Sequence, residues 1–329
     1  MGEVDLSSPL SIHVVGVGGA GMSAIAEVLA TMGHRVSGSD RQGSLVLDRL
    51  RSVGVEAMVG HDATNVPAAV DALAISTAVG ADNPEVVEAH RRGVPVLRRA
   101  DVLSALTRLR RTIAVAGTHG KTTTSSLLAC ALTSAGLDPS FVVGGVIADF
   151  GTGARWGGGE WFVVEADESD GTFLDLDAEV AVVTSVEPDH LEHYGDFDGL
   201  VDAFRLFLAG AGGARLVCAD DPVAAGLAGD GSTYGFAAGA GMRMHDYEAA
   251  GGATSFSLGE LGRVSVPLPG RHNARNAAAA VLAAMAAGAS FEGVAAGIAG
   301  FAGVGRRAHL RYRLPACRGQ PPRRMRPPS

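Results

Sequence analysis

Two stretches of the chain share one local order, in which an apolar run precedes a glycine-rich turn and then apolar residues at helical spacing. The first stretch is residues 12–29 and the second is residues 112–135. A buried strand, a tight turn and a helix in this order are typical of the βαβ units that build open parallel sheets. The sequence therefore predicts an α/β fold in which the sheet pattern starts twice.

The first glycine turn follows a predicted strand at residues 12–17. A second predicted strand, residues 34–38, leads to Asp40, nineteen residues after the last glycine of the turn. An acid about 20 residues beyond such a turn can meet a ribose hydroxyl or a base edge of a bound nucleotide. We predict a Rossmann-like domain over residues 1–109, with these ligand-binding residues: Gly16, Gly18, Gly19, Ala20, Gly21 and Asp40.

Strand and helix patterns alternate on both sides of residue 110. Before it we predict strands at residues 72–76 and 94–97 and a helix at 84–92. After it we predict strands at 112–116, 161–165 and 180–184, helices at 124–135 and 276–287, and a glycine-rich hairpin within 214–266. Continuous apolar runs suit parallel strands that are buried on both faces. A second α/β domain, of the P-loop type, is predicted over residues 110–307.

The second glycine turn has the features of a phosphate-binding loop, because backbone N–H groups and a helix N-terminus can cradle phosphate oxygens there. Its residues are Gly117, Thr118, His119, Gly120, Lys121, Thr122 and Thr123. Lys121 is the only lysine among the 27 Lys and Arg residues, and we predict that it reaches the outer phosphates of a bound ligand. The Thr122 hydroxyl would bind Mg²⁺. Val115 stands where the general P-loop pattern has its first glycine, so an incidental lysine in a strand-to-helix turn is the alternative.

Acidic residues and a histidine follow the predicted strands of the second domain. Glu165, Asp167, Glu168 and Asp170 come after residues 161–164, and His190 closes the segment after residues 180–184. Ligands gather at the carboxyl ends of parallel strands. If the three strands are neighbours, we expect Glu165 and His190 to converge beside Thr122 and bind a metal ion. Solvated surface charge is the alternative.

Charge is distributed unevenly along the chain. Residues 306–329 carry eight Arg and no acid, which leaves 19 basic against 35 acidic residues in the rest, a formal charge of −16. An acidic body argues against binding a nucleic-acid backbone. The proline-rich tail over residues 308–329 is predicted to be disordered, as an out-of-frame end or, alternatively, a basic RNA-binding arm.

The chain also lacks export and membrane-spanning signals in its sequence, so we expect a cytoplasmic protein. The cysteines, Cys130, Cys218 and Cys317, are too few and too far apart for a disulfide framework or a thiolate zinc site, and we interpret them as buried apolar residues.

Several ordered motifs resemble those of the Mur ligase family from about residue 12 to residue 307. They are GVGGAGMS (16–23), SGSD (37–40), GTHGKTTT (117–124), VEADESDG (164–171), EPDHLEHY (187–194) and LPGRHNARN (268–276). The resemblance implies that the first glycine turn holds the diphosphate of UDP-N-acetylmuramate and that the loop around Lys121 holds ATP. It also implies that Thr122, Glu165 and His190 bind magnesium. His272 and Asn276 match positions that contact adenine.

The activity implied by the resemblance is ATP-dependent ligation of L-alanine to UDP-N-acetylmuramate in peptidoglycan precursor synthesis. The reaction passes through an acyl phosphate, with Lys121, Glu165 and His190 as the catalytic residues. Some relatives bridge their metal ions with a carboxylated lysine, which this chain does not offer because Lys121 is already assigned. The family's third domain has no match after residue 307, so we expect the polypeptide to bind UDP-N-acetylmuramate but to be impaired as a ligase.

Three other functions stay open on the sequence. A ligase of the same family that recycles a ready-made peptide would use the same sugar nucleotide, and the residues that choose between alanine and peptide would lie largely in the third domain. An NAD-dependent oxidoreductase would use the first turn and Asp40, but it leaves Lys121, Glu165 and His190 unexplained. A non-catalytic nucleotide-binding remnant is the third.

Overall fold

The computed structural model describes residues 4–305. The tail predicted over residues 308–329 and Cys317 lie outside the described residues. Two sheets, each covered by helices, form the described part of the chain, which confirms the predicted α/β class. Cys130 and Cys218 are free and buried, as expected for small apolar residues.

The first sheet is built from residues 11–98. In chain order its strands and helices are β1 (Ser11–Val15), α1 (Ala20–Thr31), β2 (Arg35–Asp40), α2 (Leu45–Ser52), β3 (Glu56–Val59), β4 (Ala72–Ile75), α3 (Pro84–Arg92), β5 (Val96–Arg98) and α4 (Arg99–Thr107), the last of which follows the sheet. The strand order is β3-β2-β1-β4-β5, and all pairs are parallel.

This order places the first glycine turn at the carboxyl edge of the sheet, in its centre. β1 is buried because the flanking helices cover both faces, and α1 buries Met22, Ile25 and Leu29 against it. The register pairs Val15 with Ser39, so the turn after β1 lies beside Asp40 at the end of β2. The predicted βαβ unit is confirmed.

The second sheet is built from the rest of the described chain. Its elements up to residue 210 are β6 (Arg111–Ala116), α5 (Lys121–Ser134), β7 (Ser140–Ile147), β8 (Thr152–Arg155), β9 (Trp161–Glu165), β10 (Val180–Val183), α6 (Leu191–Tyr194) and α7 (Phe197–Gly210). The remaining elements are β11 (Arg215–Cys218), α8 (Pro222–Gly226), β12 (Ser232–Gly235), β13 (Met242–Ala250), β14 (Ala253–Leu258), β15 (Gly262–Val266), α9 (Arg271–Ala286), α10 (Phe291–Ala299) and β16 (Val304–Gly305). Short 3-10 helices lie at Ala63–Asn65 and Thr172–Asp175.

The strand order of the second sheet is β15-β14-β13-β12-β11-β10-β6-β9-β7-β16, with β8 paired to β7. β6 therefore has β9 on one side and β10 on the other, both parallel to it. The three strands that carry the predicted site are neighbours, which meets the condition set from the sequence. β13 and β14 form the predicted hairpin.

Helix α9 packs closely on α5 because its buried face is almost entirely alanine. Ala277 to Ala280 are completely buried, as are Ala283 and Ala284. Methyl side chains let two helix backbones approach each other. The N-terminal end of α9 is thereby brought next to the phosphate loop, where a Cβ on Gly120 would lie 2.5 Å from Asn276 Oδ1.

Polar contacts join the two halves of the chain. Arg49 donates from Nη1 to the carbonyl oxygen of Gly151 at 2.8 Å and from Nη2 to Glu27 Oε1 at 2.7 Å. Thr152 Oγ1 donates to the same Glu27 oxygen at 3.1 Å. A cleft between the two sheets is thus closed on one side by α1, α2 and the β7–β8 hairpin. Within residues 4–305, no helix combines the length and the apolar character needed to cross a bilayer.

Candidate active site

The residues after β10 hold the first half of the phosphate loop. The amide of Thr118 donates to the Ser185 carbonyl oxygen at 3.0 Å, and the amide of His119 donates to Ser185 Oγ at 3.0 Å. Gly117 has a φ of +130°, and a Cβ there would lie 2.2 Å from Thr184 Oγ1. Glycine is required at residue 117 because the loop passes directly against the end of β10.

The second half of the loop forms the N-terminus of α5. Gly120 has a left-handed backbone with a φ of 88°, and the helix begins at Lys121. Amides in the first turn of a helix have no acceptor within the helix, and they can bind an anion. The amides of Lys121, Thr122 and Thr123 therefore lie where phosphate oxygens can be bound.

Lys121 lies under the loop in a buried ion pair. Its Nζ donates to the Gly117 carbonyl oxygen at 2.7 Å and to Glu168 Oε1 at 2.8 Å. The side chains of Lys121 and Glu168 are 14% and 2% exposed. Burial raises the pKa of Glu168, although the Lys121 ammonium acts in the opposite direction. Because Glu168 Oε2 is buried without a hydrogen-bond partner among the described residues, this ion pair is only partly compensated.

Thr122 and Glu165 are in direct contact, as the sequence predicted. Thr122 Oγ1 donates to Glu165 Oε1 at 2.9 Å, and the amide of Gly144 donates to Glu165 Oε2 at 2.6 Å. Mg²⁺ prefers hard oxygen ligands and usually keeps several waters beside one or two protein groups and substrate phosphates. A hydroxyl and a carboxylate at the edge of the phosphate loop fit such an ion.

His190 has acidic neighbours in its own segment. It has a left-handed backbone with a φ of 51° and precedes α6. Its ring nitrogens lie 3.7 Å from Asp189 Oδ2 and 3.9 Å from Glu192 Oε1. Over residues 4–305, no group of three or more His, Cys, Asp or Glu side chains is arranged to hold a metal ion. The participation of His190 in a metal site therefore stays a prediction.

Two adjoining cavities open on the phosphate loop. The larger, about 680 Å³, is lined by Gly120 and Thr123 and reaches the predicted adenine residues His272 and Asn276 on α9. The smaller, about 390 Å³, is lined by the loop residues 118–123 together with Gly144 and Gly145 and with β16. A nucleotide with its base beside His272 and Asn276 and its phosphates beside residues 118–123 would match the predicted positions.

The first glycine turn is stabilised by the end of β2. The amides of Gly16 and Val17 donate to the Ser39 carbonyl oxygen at 2.8 and 2.9 Å. The amide of Gly18 donates to Asp40 Oδ2 at 2.9 Å. One carboxylate oxygen of Asp40 is thus engaged by the turn itself, and the other accepts from the amide of Gln42 at 3.3 Å.

A buried polar cluster lies beneath Asp40. Glu85 is fully buried and accepts from Ser39 Oγ at 2.5 Å and from Asn65 Nδ2 at 2.7 Å. Nitrogens of His13 and His61 lie 3.5 and 3.6 Å from Glu85 Oε2. Burial alone would raise the pKa of Glu85, but its contacts with His13, Ser39 and Asn65 outweigh burial and lower the pKa to about 2. Glu85 therefore stays ionised and holds the end of β2 in place.

Sequence reasoning placed Glu168 in the acidic run but did not assign it to Lys121, and it missed Ser185 and Arg99 entirely. Arg99 begins α4 directly after β5, at the carboxyl edge of the first sheet. That position was a usable signal, because ligands of open sheets bind at this edge. Ser185 likewise follows β10 at the carboxyl edge of the second sheet.

Two domain models of one family match the chain. The model described as "Mur ligase family, catalytic domain" matches residues 11–111, and the model described as "Mur ligase middle domain" matches residues 115–284. Together they include both glycine turns and the carboxylates that follow β9.

Individual relatives agree with these matches. The UDP-N-acetylmuramate–L-alanine ligase of Bradyrhizobium sp. (strain ORS 278) is 47% identical over 313 residues, which are 90% of this chain and 67% of the relative. The enzyme of the same name from Sinorhizobium fredii (strain NBRC 101917 / NGR234) is 45% identical over 316 residues, with 91% and 67% covered. The chain thus spans about two thirds of the length of these relatives.

Solved structures give the same result. The UDP-N-acetylmuramate-alanine ligase of Thermotoga maritima superposes with a TM-score of 0.82 at 28% identity, covering 93% of this chain and 72% of that one. A UDP-N-acetylmuramate:L-alanyl-gamma-D-glutamyl-meso-diaminopimelate ligase from Neisseria meningitides gives a TM-score of 0.79 at 27% identity, covering 91% and 100%. Both the sequence matches and the shared architecture show that this chain belongs to the Mur ligase family.

Proposed function

We propose that this chain binds UDP-N-acetylmuramate and ATP and serves the ATP-dependent joining of L-alanine to the sugar nucleotide in peptidoglycan precursor synthesis. The observation that carries the proposal is the position of the phosphate loop, with Lys121 and the Thr122–Glu165 pair, across one cleft from the first glycine turn. Two nucleotide-type turns that share a cleft suit a reaction between two phosphorylated substrates.

ATP would lie along the two cavities that adjoin the phosphate loop. The amides at the start of α5 and the Lys121 ammonium would bind the outer phosphates, and His272 and Asn276 would contact adenine. Thr122 and Glu165, with His190 as a further predicted ligand, would hold a magnesium ion, which neutralises phosphate charge when bound.

UDP-N-acetylmuramate would lie against the first glycine turn. Residues 16–21 would approach its diphosphate closely, since their glycines leave the backbone accessible. Asp40 would face the nucleoside with the carboxylate oxygen that the turn leaves less engaged. The lactyl carboxylate would then point into the cleft towards the phosphate loop.

The reaction needs charge neutralisation and alignment more than covalent help from the protein. A lactyl carboxylate oxygen attacks the γ-phosphorus of ATP, and ADP leaves, which gives an acyl phosphate. The amine of L-alanine attacks the acyl carbon, loses a proton, and inorganic phosphate leaves as the amide forms. The Lys121 ammonium and the loop amides would stabilise the charge that develops on the transferred phosphoryl group.

A peptide-recycling ligase is the second candidate, because the Neisseria structure of that class has the same architecture. The two solved structures do not separate the candidates, at 28% and 27% identity, but the relatives that match at 45–47% identity are named as alanine ligases, which favours L-alanine. Supplying either L-alanine or the tripeptide in a phosphate-release assay decides between them. We also propose a cytoplasmic location, because ATP is supplied there.

Turnover by the 329-residue polypeptide is expected to be much lower than that of a full-length relative. The chain spans 67% of the length of the alanine ligases it matches, and domain closure around the site excludes water in enzymes of this chemistry. The measurement is alanine-dependent phosphate release from purified protein. Turnover equal to that of a full-length relative would contradict this part of the proposal, while binding of both nucleotides would remain testable.

Lys121→Ala tests the central assignment by binding alone. Loss of a buried ammonium that binds phosphate is expected to weaken Mg-ATP by roughly 100-fold, because charge-assisted hydrogen bonds are lost. UDP-N-acetylmuramate affinity should not change. Arg205→Ala removes one exposed positive charge on α7 and is the control. Unchanged ATP affinity in Lys121→Ala would overturn the proposed function.

A further inference from the structure

A third cavity lies between the two halves of the chain, with a volume of about 320 Å³. One wall is the first turn of α1, from Gly19 to Met22, with Arg99 beside it. The opposite wall carries Gly144, Glu165 and Asp167 from the second sheet. A cation on one wall thus faces carboxylates on the other, and Arg99 is the one basic residue among those that line the cavity in the described chain.

Arg99 is held against the first glycine turn. A Cβ on Gly21 would lie 2.6 Å from Arg99 Nε and 3.1 Å from Cδ, so the side chain fills the space that glycine leaves over the start of α1. Nε is buried and has no hydrogen-bond partner among residues 4–305. A buried donor without a partner costs free energy. Such a donor is expected where a ligand supplies the acceptor.

The order of groups along the cleft indicates which part of a ligand reaches Arg99. Asp40 bonds to Gly18 at one end of the glycine turn, and Arg99 covers Gly21 at the other. Beyond the cavity, Glu165 bonds to Thr122 next to the ATP loop. A sugar nucleotide whose nucleoside faces Asp40 therefore passes Arg99 before it reaches the phosphate loop.

We propose that Arg99 binds the diphosphate of the sugar nucleotide and supplies the positive charge that the first glycine turn does not itself contain. The inference rests on the proposed function, because it takes UDP-N-acetylmuramate as the ligand. Arg99 forms an anion site together with the start of α1, and its fork of donors suits phosphate oxygens. The glycine at residue 21 is needed so that the guanidinium can lie over the helix end.

Equilibrium binding to three ligands that share the diphosphate tests the proposal. The ligands are UDP, UDP-N-acetylglucosamine and UDP-N-acetylmuramate, of which only the last carries the lactyl carboxylate. Arg99→Ala is expected to weaken all three by about 10- to 100-fold, since hydrogen bonds to a charged group are lost, and to leave Mg-ATP affinity unchanged. Arg99→Lys keeps the charge but not the fork and should lie in between.

A second variant and a neighbouring arginine make the test independent of folding effects. Gly21→Ala keeps the guanidinium but pushes it away, and it should reproduce the loss for all three ligands. Arg98→Ala, an exposed neighbour that does not line the cavity, should bind as wild type. Equal melting temperatures and Mg-ATP affinities show that each variant is folded.

Two results would overturn the inference. If Arg99→Ala weakens UDP-N-acetylmuramate but not UDP or UDP-N-acetylglucosamine, the residue binds the carboxylate and the diphosphate assignment is wrong. If none of the three affinities changes, Arg99 is not part of the site. Failure of the wild-type chain to bind any uridine nucleotide would instead refute the proposed function, so the two failures are distinguishable.

Discussion

The two glycine turns have the same local architecture and opposite electrostatic surroundings. The turn after β1 is held by an acid, since the Gly18 amide donates to Asp40, and Arg99 at the start of α4 lies against it. The turn after β6 contains its own cation, Lys121, which is paired with the buried Glu168. A strand, a glycine turn and a helix thus define where phosphate can bind. In the proposed function, residues brought in from other elements, such as Arg99 and Glu168, would decide which ligand binds.

Replacing one glycine of each turn by alanine is expected to reduce ligand affinity more in the second turn than in the first. In Gly117→Ala, a Cβ would meet Thr184 Oγ1 at 2.2 Å and Ser185 backbone at 2.9 Å, at a φ of +130°. We expect ATP affinity to fall by roughly 100-fold, on the order of 3 kcal/mol, because strain and contact with backbone act together.

Gly18→Ala is the matched variant in the first turn. Its Cβ would meet only the Asp40 side chain, at 2.8 Å from Oδ2, and that carboxylate can rotate. We expect sugar-nucleotide affinity to fall by about fivefold, on the order of 1 kcal/mol. Titration calorimetry of both variants with both ligands measures the difference, and an equal loss in the two turns would break the comparison.

Lowering the pH is expected to destabilise the region around the first turn, which contains Glu85, more than the region around the second turn, which contains Glu168. The pKa of Glu85 is about 2 in the fold against 4.5 unfolded, so its stabilising contribution is complete above pH 4.5 and is lost as pH falls towards 2. The contribution is at most roughly 3 kcal/mol, from about 1.4 kcal/mol for each pKa unit. For Glu168 the pKa is raised, so its ionisation costs stability at neutral pH and that cost is relieved on acidification.

Glu85→Gln should therefore be less stable than wild type at pH 7 and should lose less stability between pH 5 and pH 3. His13 and His61 both face Glu85. Urea unfolding across this pH range gives the free energies. Glu56→Gln, an exposed acid on β3, is the control, and parallel pH profiles for Glu85→Gln and wild type would contradict the prediction.

Removal of the carboxylate at residue 165 should affect only the second turn. Because Glu165 contacts Thr122 and is the proposed magnesium ligand, Glu165→Gln is expected to raise the Mg²⁺ concentration needed for ATP binding by about tenfold or more. Glu160→Gln, an exposed acid just before β9, should not. Unchanged Mg²⁺ dependence in Glu165→Gln would remove this residue from the metal site.

A small effect of opposite sign is expected for Glu168. Its carboxylate neutralises the Lys121 ammonium before nucleotide binds. The same negative charge would repel the phosphates of ATP that carries no metal ion. Glu168→Gln should therefore strengthen binding of metal-free ATP by about fivefold, roughly 1 kcal/mol, and change Mg-ATP affinity less. Asp170→Asn, in the same acidic run, is the control. A loss of metal-free affinity would mean that Glu168 positions Lys121 for phosphate instead.

Much of the fold follows from periodicity alone. The βαβ unit around the first turn, α3 and β9 have the predicted bounds or nearly so, since apolar period and glycine punctuation agree there. Two helix starts were placed too late: α5 begins at Lys121 rather than Thr124, and α9 at Arg271 rather than Asn276. Both helices open with polar residues that carry no apolar period, and a glycine with positive φ sets each start.

The sequence predicted those contacts of the site that follow from strands and turns recognisable in short segments. Thr122 and Glu165 meet because β6 and β9 are neighbours and both residues lie at one edge. The pairing of Lys121 with Glu168 depends on the path of the loop after β9, which no local period encodes. Arg99 depends on where β5 falls in the first sheet relative to α1. The local sequence pattern does not predict such contacts between elements that are distant in sequence.

The buried alanine face of α9 limits how this helix can shift relative to α5. Because methyl groups have no rotamers, the buried alanines of α9 cannot repack by rotating their side chains against α5. The N-terminal ends of α9 and α5, which carry the proposed adenine and phosphate contacts, are thereby kept at one separation. If ATP binds as proposed, nucleotides with another distance between base and phosphates would fit this separation less well.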